Sequence, residues 1–312
     1  MGSYNYKFTV FTPTYNRFHT LIRVYESLKS QTFTDFEWLI VDDGSSDGSA
    51  ELIKSWQNEA SFPVRYFYQE NSGKHIAFNC AVKESQGELF LTADSDDAFI
   101  STALERFLFH WNTISEDEKR LFSAVTTLCK DQTGAVIGDP FPEDLFDSDT
   151  LEITYKYKIK GEKWGFHRRD VLLKYPFPER RGQKFVPESI IWNRIARNYK
   201  TRFVNESLRI YYQDAGQQLT RTSASTRANI SEYYACFIDE DFGWFKVAPL
   251  QFYKNALSYV RLSLLAGESL VEQYARLHVF GAKALWVLAL IPGYCISRYD
   301  LWRELSFRSV GK

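Results

Sequence analysis

Apolar and polar positions along the first half of this chain fall into blocks whose period switches repeatedly between strand-like and helix-like. Phe8-Thr9-Val10-Phe11-Thr12 predicts a first strand, stopped by Pro13. Leu21, Val24, Tyr25 and Leu28 then recur at helical spacing up to Gln31. Phe36 to Val41 reads as a continuous apolar strand, the signature of a parallel strand covered on both faces. Ser46-Asp47-Gly48-Ser49 offers N-cap residues for a helix carrying Leu52, Ile53 and Trp56. Val64 to Tyr68 predicts a third strand, Ile76 to Val82 a helix after the Gly73-Lys74-His75 turn, and Leu89 to Ala93 a fourth strand. This rhythm predicts an α/β fold, a doubly wound, mostly parallel sheet that takes ligands at the carboxyl ends of its strands.

Further along, residues 101–112 read as a helix and Ala124 to Leu128 as a strand. From Asp131 to Arg181 the pattern loosens into turns and short strand candidates. Helical period returns from Glu188 to Tyr199, and Arg202-Phe203-Val204 reads as a strand. Beyond about residue 229 the chain turns helical and aromatic. The expected division is 1–225, with a ligand-binding half at 1–100 and a second half at 101–225, and a helical appendage at 226–312.

Two acidic loops follow two of these strands. Val41 runs into Asp42-Asp43-Gly44-Ser45-Ser46-Asp47, and Leu89-Phe90-Leu91 into Thr92-Ala93-Asp94-Ser95-Asp96-Asp97. Carboxylates crowded at a strand end repel one another, and a divalent cation sharing the site with a ligand's phosphates relieves that repulsion. Asp42 and Asp43 also suit turn chemistry before Gly44.

Composition narrows the function. With 45% hydrophobic and 25% charged residues the chain has the means for a sizeable core, and a net charge of -1 argues against a nucleic-acid partner. Aromatic residues make up 17%, enough for sugar stacking but expected mostly in the core. Cys80, Cys129, Cys236 and Cys295 lie far apart without metal-ligand spacing, which suits reduced thiols and a cytoplasmic protein. Met1 to Lys7 is polar, so no signal peptide is expected.

Thr12-Pro13-Thr14-Tyr15-Asn16-Arg17, Gln31-Thr32-Phe33, Val41-Asp42-Asp43-Gly44-Ser45-Ser46-Asp47, Asn71-Ser72-Gly73-Lys74 and Asp94-Ser95-Asp96-Asp97 stand in an order and spacing that resembles the inverting family 2 nucleotide-sugar glycosyltransferases, which have the GT-A fold. Gly182-Gln183-Lys184-Phe185-Val186-Pro187-Glu188 extends the likeness into the second half. The resemblance implies a donor site built from Thr14, Tyr15, Asn16, Arg17, Asp43, Lys74, Asp94 and Arg221, with Tyr15 stacking on the base and Lys74 on the diphosphate. It implies Mn²⁺ or Mg²⁺ at Asp96, with Asp94 on the metal or the ribose and Asp97 on the metal or supporting a ligand. Glu188 becomes the base that deprotonates the acceptor hydroxyl, although Ser189 stands where relatives often carry a second acid. Trp164 is assigned to the acceptor, a core position being the alternative. Arg221 is followed by Thr222 rather than Trp, which departs from processive synthases and implies addition of a single sugar.

The implied reaction moves a sugar from a nucleotide diphosphate donor, UDP-linked, to a glycan acceptor carried on a polyprenyl diphosphate in bacterial polysaccharide synthesis. Two alternatives stand beside it: a sugar-1-phosphate nucleotidylyltransferase, and an inactive carbohydrate-binding relative. The uncharged run Ala284 to Ser297 is broken by Pro292-Gly293 and falls short of the roughly twenty apolar residues of a bilayer span. Trp286, Tyr294, Tyr299 and Trp302 lie in or near that run, and Arg276, Lys283, Arg298, Arg303, Arg308 and Lys312 outnumber Asp300 and Glu304. That composition predicts either a peripheral anchor on the cytoplasmic membrane face or a helix packed internally or in a homodimer.

Overall fold

The computed structural model describes residues 4–180, 182–212 and 230–310, with side chains described as far as residue 303. Residues 4–185 with 191–212 form one compact unit, and residues 186–190 with 230–310 a second. The expected boundary at 225 lies outside the described residues.

The first unit is an α/β sandwich around a mixed sheet. Its strands are β1 (Tyr6–Thr14), β2 (Phe36–Asp42), β3 (Val64–Tyr68), β4 (Gly87–Thr92), β5 (Ala98–Phe99), β6 (Phe122–Lys130), β7 (Leu145–Ser148), β8 (Lys163–Arg168) and β9 (Lys200–Ile210). The strand order is β3-β2-β1-β4-β8-β6-β9-β5, with β7 also paired to β9. β3, β2, β1 and β4 run parallel, whereas β8 lies antiparallel between β4 and β6. Between the parallel strands run helices α1 (Ile22–Lys29), α2 (Ser49–Glu59) and α3 (Lys74–Glu84); α4 (Ala103–Asn112) follows β5, and α5 (Ser189–Ala196) precedes β9.

β2 is buried along its whole length, as a central parallel strand should be. Its Glu37 is fully buried inside the run that reads as apolar. The carboxylate accepts from Thr9 Oγ1 and the Gln86 amide, each at 2.6 Å, and pairs with Arg65 at 3.0 Å. Burial of that charge is tolerated because every oxygen is engaged.

Aromatic residues fill the core, where most of them were expected. On one face Tyr25 stacks on Trp56 with centroids 4.5 Å apart, beside Trp38. On the same side of the sheet Phe8, Phe107 and Trp111 meet Phe166 of β8 edge-on.

The second unit is helical: α6 (Ser231–Asp239), α7 (Pro249–Leu265), α8 (Leu270–Arg276) and α9 (Phe280–Val310). A capping box between Ser269 and Glu272 starts α8. α9 runs straight through Pro292, where the sequence reading expected a break. The missing N–H costs one helical bond, but Gly293 next to it lets α9 lie against α7 so closely that a Cβ would stand 2.7 Å from Val260. Buried Ala289 and Ser297 flank that contact, and packing outweighs the proline.

Candidate donor-binding site

The carboxyl ends of β1, β2 and β4 and the start of α3 lie side by side along one sheet edge, because neighbouring parallel strands finish in register. Thr14 is level with Asp42, and the Asp43 amide donates to the Thr14 carbonyl at 2.8 Å. Thr14 itself is buried, its hydroxyl without a hydrogen-bond partner. Beyond it the chain turns at Asn16, whose φ of 51° is left-handed. The Asn16 amide donates to Ser45 Oγ at 2.9 Å and its Oδ1 accepts from the Ser46 amide at 2.8 Å, while Asp47 accepts from the Phe18 amide at 2.9 Å. This clip holds the β1 loop against the β2 loop and leaves the Tyr15 ring half-exposed.

Asp42 and Asp43 do different work. Asp42 accepts from the Ser45 amide at 2.8 Å and from the Tyr66 hydroxyl at 3.0 Å, the cap role expected of it. Asp43 is buried and gathers the third loop: Oδ1 accepts from Gln69 Nε2 and the Ser72 amide, both at 2.7 Å, and Oδ2 from the Gly73 amide at 2.9 Å. Three protein donors therefore engage the carboxylate expected to meet the donor. Gly73 is required where it stands. Its φ is +104°, and a Cβ would lie 2.4 Å from the Lys184 carbonyl, so the 182–184 segment passes directly over the turn.

From that turn Lys74 reaches Asp94, Nζ to Oδ1 at 2.7 Å. The other oxygen of Asp94 accepts from Arg209 Nη2 at 2.8 Å. Arg209, buried on β9, also donates through Nε to Asp97 Oδ2 at 2.8 Å, and Asp97 Oδ1 accepts from the Tyr212 amide at 2.8 Å. The β5–β9 pairing, Phe99 level with Arg209, carries the guanidinium to the acidic loop. Burial pushes the Asp94 carboxyl up, but Lys74 and then Arg209 outweigh it and hold Asp94 below the usual carboxylate range. Asp96 shows the opposite result. Burial and then repulsion from Asp94 raise it, and Arg17 offsets this only weakly from 3.9 Å. Arg23 donates to the Asp96 carbonyl at 2.8 Å while its guanidinium covers the Tyr212 ring.

The three carboxylates thus differ. Asp97 is buried with both oxygens engaged, and it anchors the loop to Arg209 and Tyr212, which fits the supporting alternative rather than direct ligation. Asp94 is taken up by two cations. Asp94 and Asp96 are both partly exposed, and Asp96 differs in having only a loose ion pair. Among the described residues no group of three or more acids, histidines and cysteines is arranged to hold a metal. One accessible carboxylate does fit Mg²⁺ or Mn²⁺ when a ligand's phosphates supply other positions, which is how such ions commonly bind with nucleotides.

Residues 9–137 match the glycosyl transferase family 2 model. That stretch is a family 2 glycosyltransferase domain. An uncharacterized glycosyltransferase of Rickettsia bellii is 32% identical over 149 residues, 44% of this chain but a fifth of that protein's length. Among solved structures, Staphylococcus aureus TarS 1–349 in complex with UDP superimposes with a TM-score of 0.61 at 17% identity, covering 96% of this chain and 92% of that one. The mannosyltransferase PcManGT of Pyrobaculum calidifontis, in complex with GDP-Man and Mn²⁺, gives 0.52 at 15% identity, covering 96% and 85%. The GT-A type α/β fold expected from the sequence is the fold these structures share.

The family 2 domain holds Thr14 to Arg17, Asp43, Lys74 and Asp94 to Asp97, and the first unit brings them together. Arg209 lies outside the matched residues and outside the sequence reading; an arginine two positions before Tyr211-Tyr212 gave no signal of its partners 112 and 115 residues away. Trp164 is corrected. It is buried on β8, packed between Phe99 and Phe107, and its Nε1 donates to the Thr92 carbonyl at 2.6 Å, so it supports the acidic loop from beneath and presents no ring to an acceptor. Glu188 is exposed immediately before α5, in the short stretch that belongs to the second unit. Arg221 lies outside the described residues.

Proposed function

We propose that this chain is an inverting, metal-dependent glycosyltransferase that moves one sugar from a UDP-sugar to a hydroxyl of a glycan acceptor. The observation that carries the reading is the acidic loop inside a family 2 domain: Asp94 and Asp97 held closely by protein cations, Asp96 partly exposed and only loosely paired, and Lys74 and Arg17 beside the loop. That is a lining suited to a diphosphate. The similarity to TarS bound to UDP supports uridine, and the PcManGT complex with Mn²⁺ supports a divalent ion.

In this reading Asp96 holds Mn²⁺ or Mg²⁺ together with the donor phosphates. When bound, the cation offsets charge on the departing nucleoside diphosphate. Tyr15 offers its half-exposed ring to the base. Lys74 turns from Asp94 toward the diphosphate, and Arg209 keeps Asp94 ionised and in place while it does so. Glu188 takes the proton as the acceptor oxygen bonds to the anomeric carbon and the carbon–phosphate-oxygen bond breaks on the opposite face. The configuration inverts. We place the acceptor on a polyprenyl diphosphate in bacterial polysaccharide synthesis, at the cytoplasmic face of the membrane, with contact to that surface or to a second copy made through the C-terminal helices.

Glu188→Gln tests the base. Transfer should fall by about 10²–10⁴-fold while UDP affinity stays within about twofold, since a neutral amide cannot take the proton but does not alter the donor loops. The product should carry the inverted anomer. Near-normal turnover in Glu188→Gln, or a product with retained configuration, removes Glu188 from the role.

A further inference from the structure

The face of α9 turned away from its own unit points to a membrane surface, and we propose that the chain docks on anionic bilayers by laying this helix in the plane of the interface. α9 is apolar on two sides. Ala282, Leu285, Trp286 and Ala289 are buried, and Trp286 Nε1 donates to Gln273 of α8 at 3.1 Å. On the other side Phe280, Leu288, Ile291, Tyr294, Tyr299 and Trp302 are exposed, Phe280 by 87% and Ile291 by 79%. At about 100° per residue they fall on one face of the helix, a stripe about 33 Å long at the rise of an α-helix. An apolar stripe of that length on a folded unit marks a binding surface.

Charge selects the occupant. Arg298 lies exposed within the stripe, between Tyr294 and Trp302, and Arg303 is exposed at its end. Asp300, the one acid from Phe280 to Arg303, is taken up by Arg261 of α7. Two copies of this face pressed together would bury Arg298 with no carboxylate from the described stripe to meet it, which is strongly unfavourable. At a lipid interface the same arginine reaches the phosphates while its stem and the Tyr and Trp rings stay among the acyl chains.

The span Phe280–Arg303 is long and apolar enough, by length and composition, to cross a membrane. The packing argues for lying flat. α9 is joined to α7 along its buried face, and α7 carries Lys254 and Arg261, which could enter hydrocarbon only at large cost. This inference stands apart from the transfer chemistry, and its test needs neither donor nor acceptor.

The full chain should co-sediment with vesicles of equal parts phosphatidylglycerol and phosphatidylcholine, and far less with phosphatidylcholine alone. Leu288→Glu with Ile291→Glu, both exposed and away from the buried face, should lower partitioning about tenfold or more with helicity by circular dichroism unchanged. Arg298→Ala should lower it about fivefold at low salt and little at high salt. Three results overturn the inference: a full chain that ignores anionic vesicles, a double variant that binds them as well as the parent, or binding that resists an alkaline carbonate wash, which would mean a span. A parent dimer that the double variant dissociates, with no vesicle binding by either, assigns the stripe to a second copy instead.

Discussion

Arg209 joins Asp94 to Asp97 from a buried position, and its role is one of positioning: it fixes two carboxylates and leaves the third, Asp96, only loosely paired. Arg209→Met should cost about 3–5 kcal/mol of stability by leaving Asp97 buried without its partner. Adding Asp97→Leu should return part of that loss, because the uncompensated charge is then gone. Urea unfolding of the single and double variants reads both numbers; equal stability of Arg209→Met and the parent would show that the pair contributes nothing. Asp96→Ala makes the complementary case. Its carboxylate is partly exposed and only loosely paired, so the fold should survive while Mn²⁺ binding in the presence of UDP, followed by electron paramagnetic resonance, should be lost. Mn²⁺ binding that persists unchanged in Asp96→Ala would move the ion elsewhere. The resemblance put Asp96 first among the three acids, but the sequence showed nothing of what separates them in the fold. Their ranking depends on a guanidinium more than a hundred residues away in the chain, and pairing at that separation leaves no local pattern.

Among the elements, the strand–helix rhythm of the first hundred residues was legible because each segment is buried by its own period: β2 on both faces, α1 on one. β8 was not read as a strand. It pairs antiparallel between β4 and β6, and Lys163, His167 and Arg168 break the apolar pattern that a central strand usually shows. The burial of Trp164, the alternative to an acceptor contact, follows from a strand pairing that the sequence does not display. Pro292 misled in the other direction: a proline reads as a break, yet here packing against α7 holds the helix through it. The Gly73 turn belongs to this scale too. Gly73→Ala meets both a φ of +104° and the Lys184 carbonyl, so the turn must shift. We expect a stability loss of roughly 1–3 kcal/mol and weaker UDP binding by titration calorimetry. An alanine variant with the parent's affinity would show that the turn does not set the position of Lys74.

At the scale of the whole molecule, two histidines tie stability to pH. His75 is buried beside Gly73 with both ring nitrogens unpartnered, and burial lowers its pKa below the ordinary value of 6.5. His167 stacks on Trp192 with centroids 4.2 Å apart, and burial takes it down to about 3. Both stay neutral in the folded state at a pH where the unfolded chain takes up protons. Their contribution is therefore fully present above about 6.5 and is lost as pH falls below it, at up to about 1.4 kcal/mol per pH unit for each histidine. Urea unfolding at a series of pH values reads this dependence, and His75→Gln should remove His75's share of it; a dependence unchanged by His75→Gln would contradict the assignment.

Everything proposed for the site requires that the edge formed by the β1, β2 and β4 loops receives a nucleotide sugar and releases a nucleoside diphosphate. The direct measurement is a panel of nucleotide sugars incubated with the full chain and Mn²⁺, with nucleoside diphosphate release followed for the parent and for Asp96→Ala. UDP should be released from at least one UDP-sugar, and chelator or Asp96→Ala should abolish that release. Pyrophosphate release from UTP and a sugar 1-phosphate, with every nucleotide sugar left intact, would contradict it and make the chain a nucleotidylyltransferase.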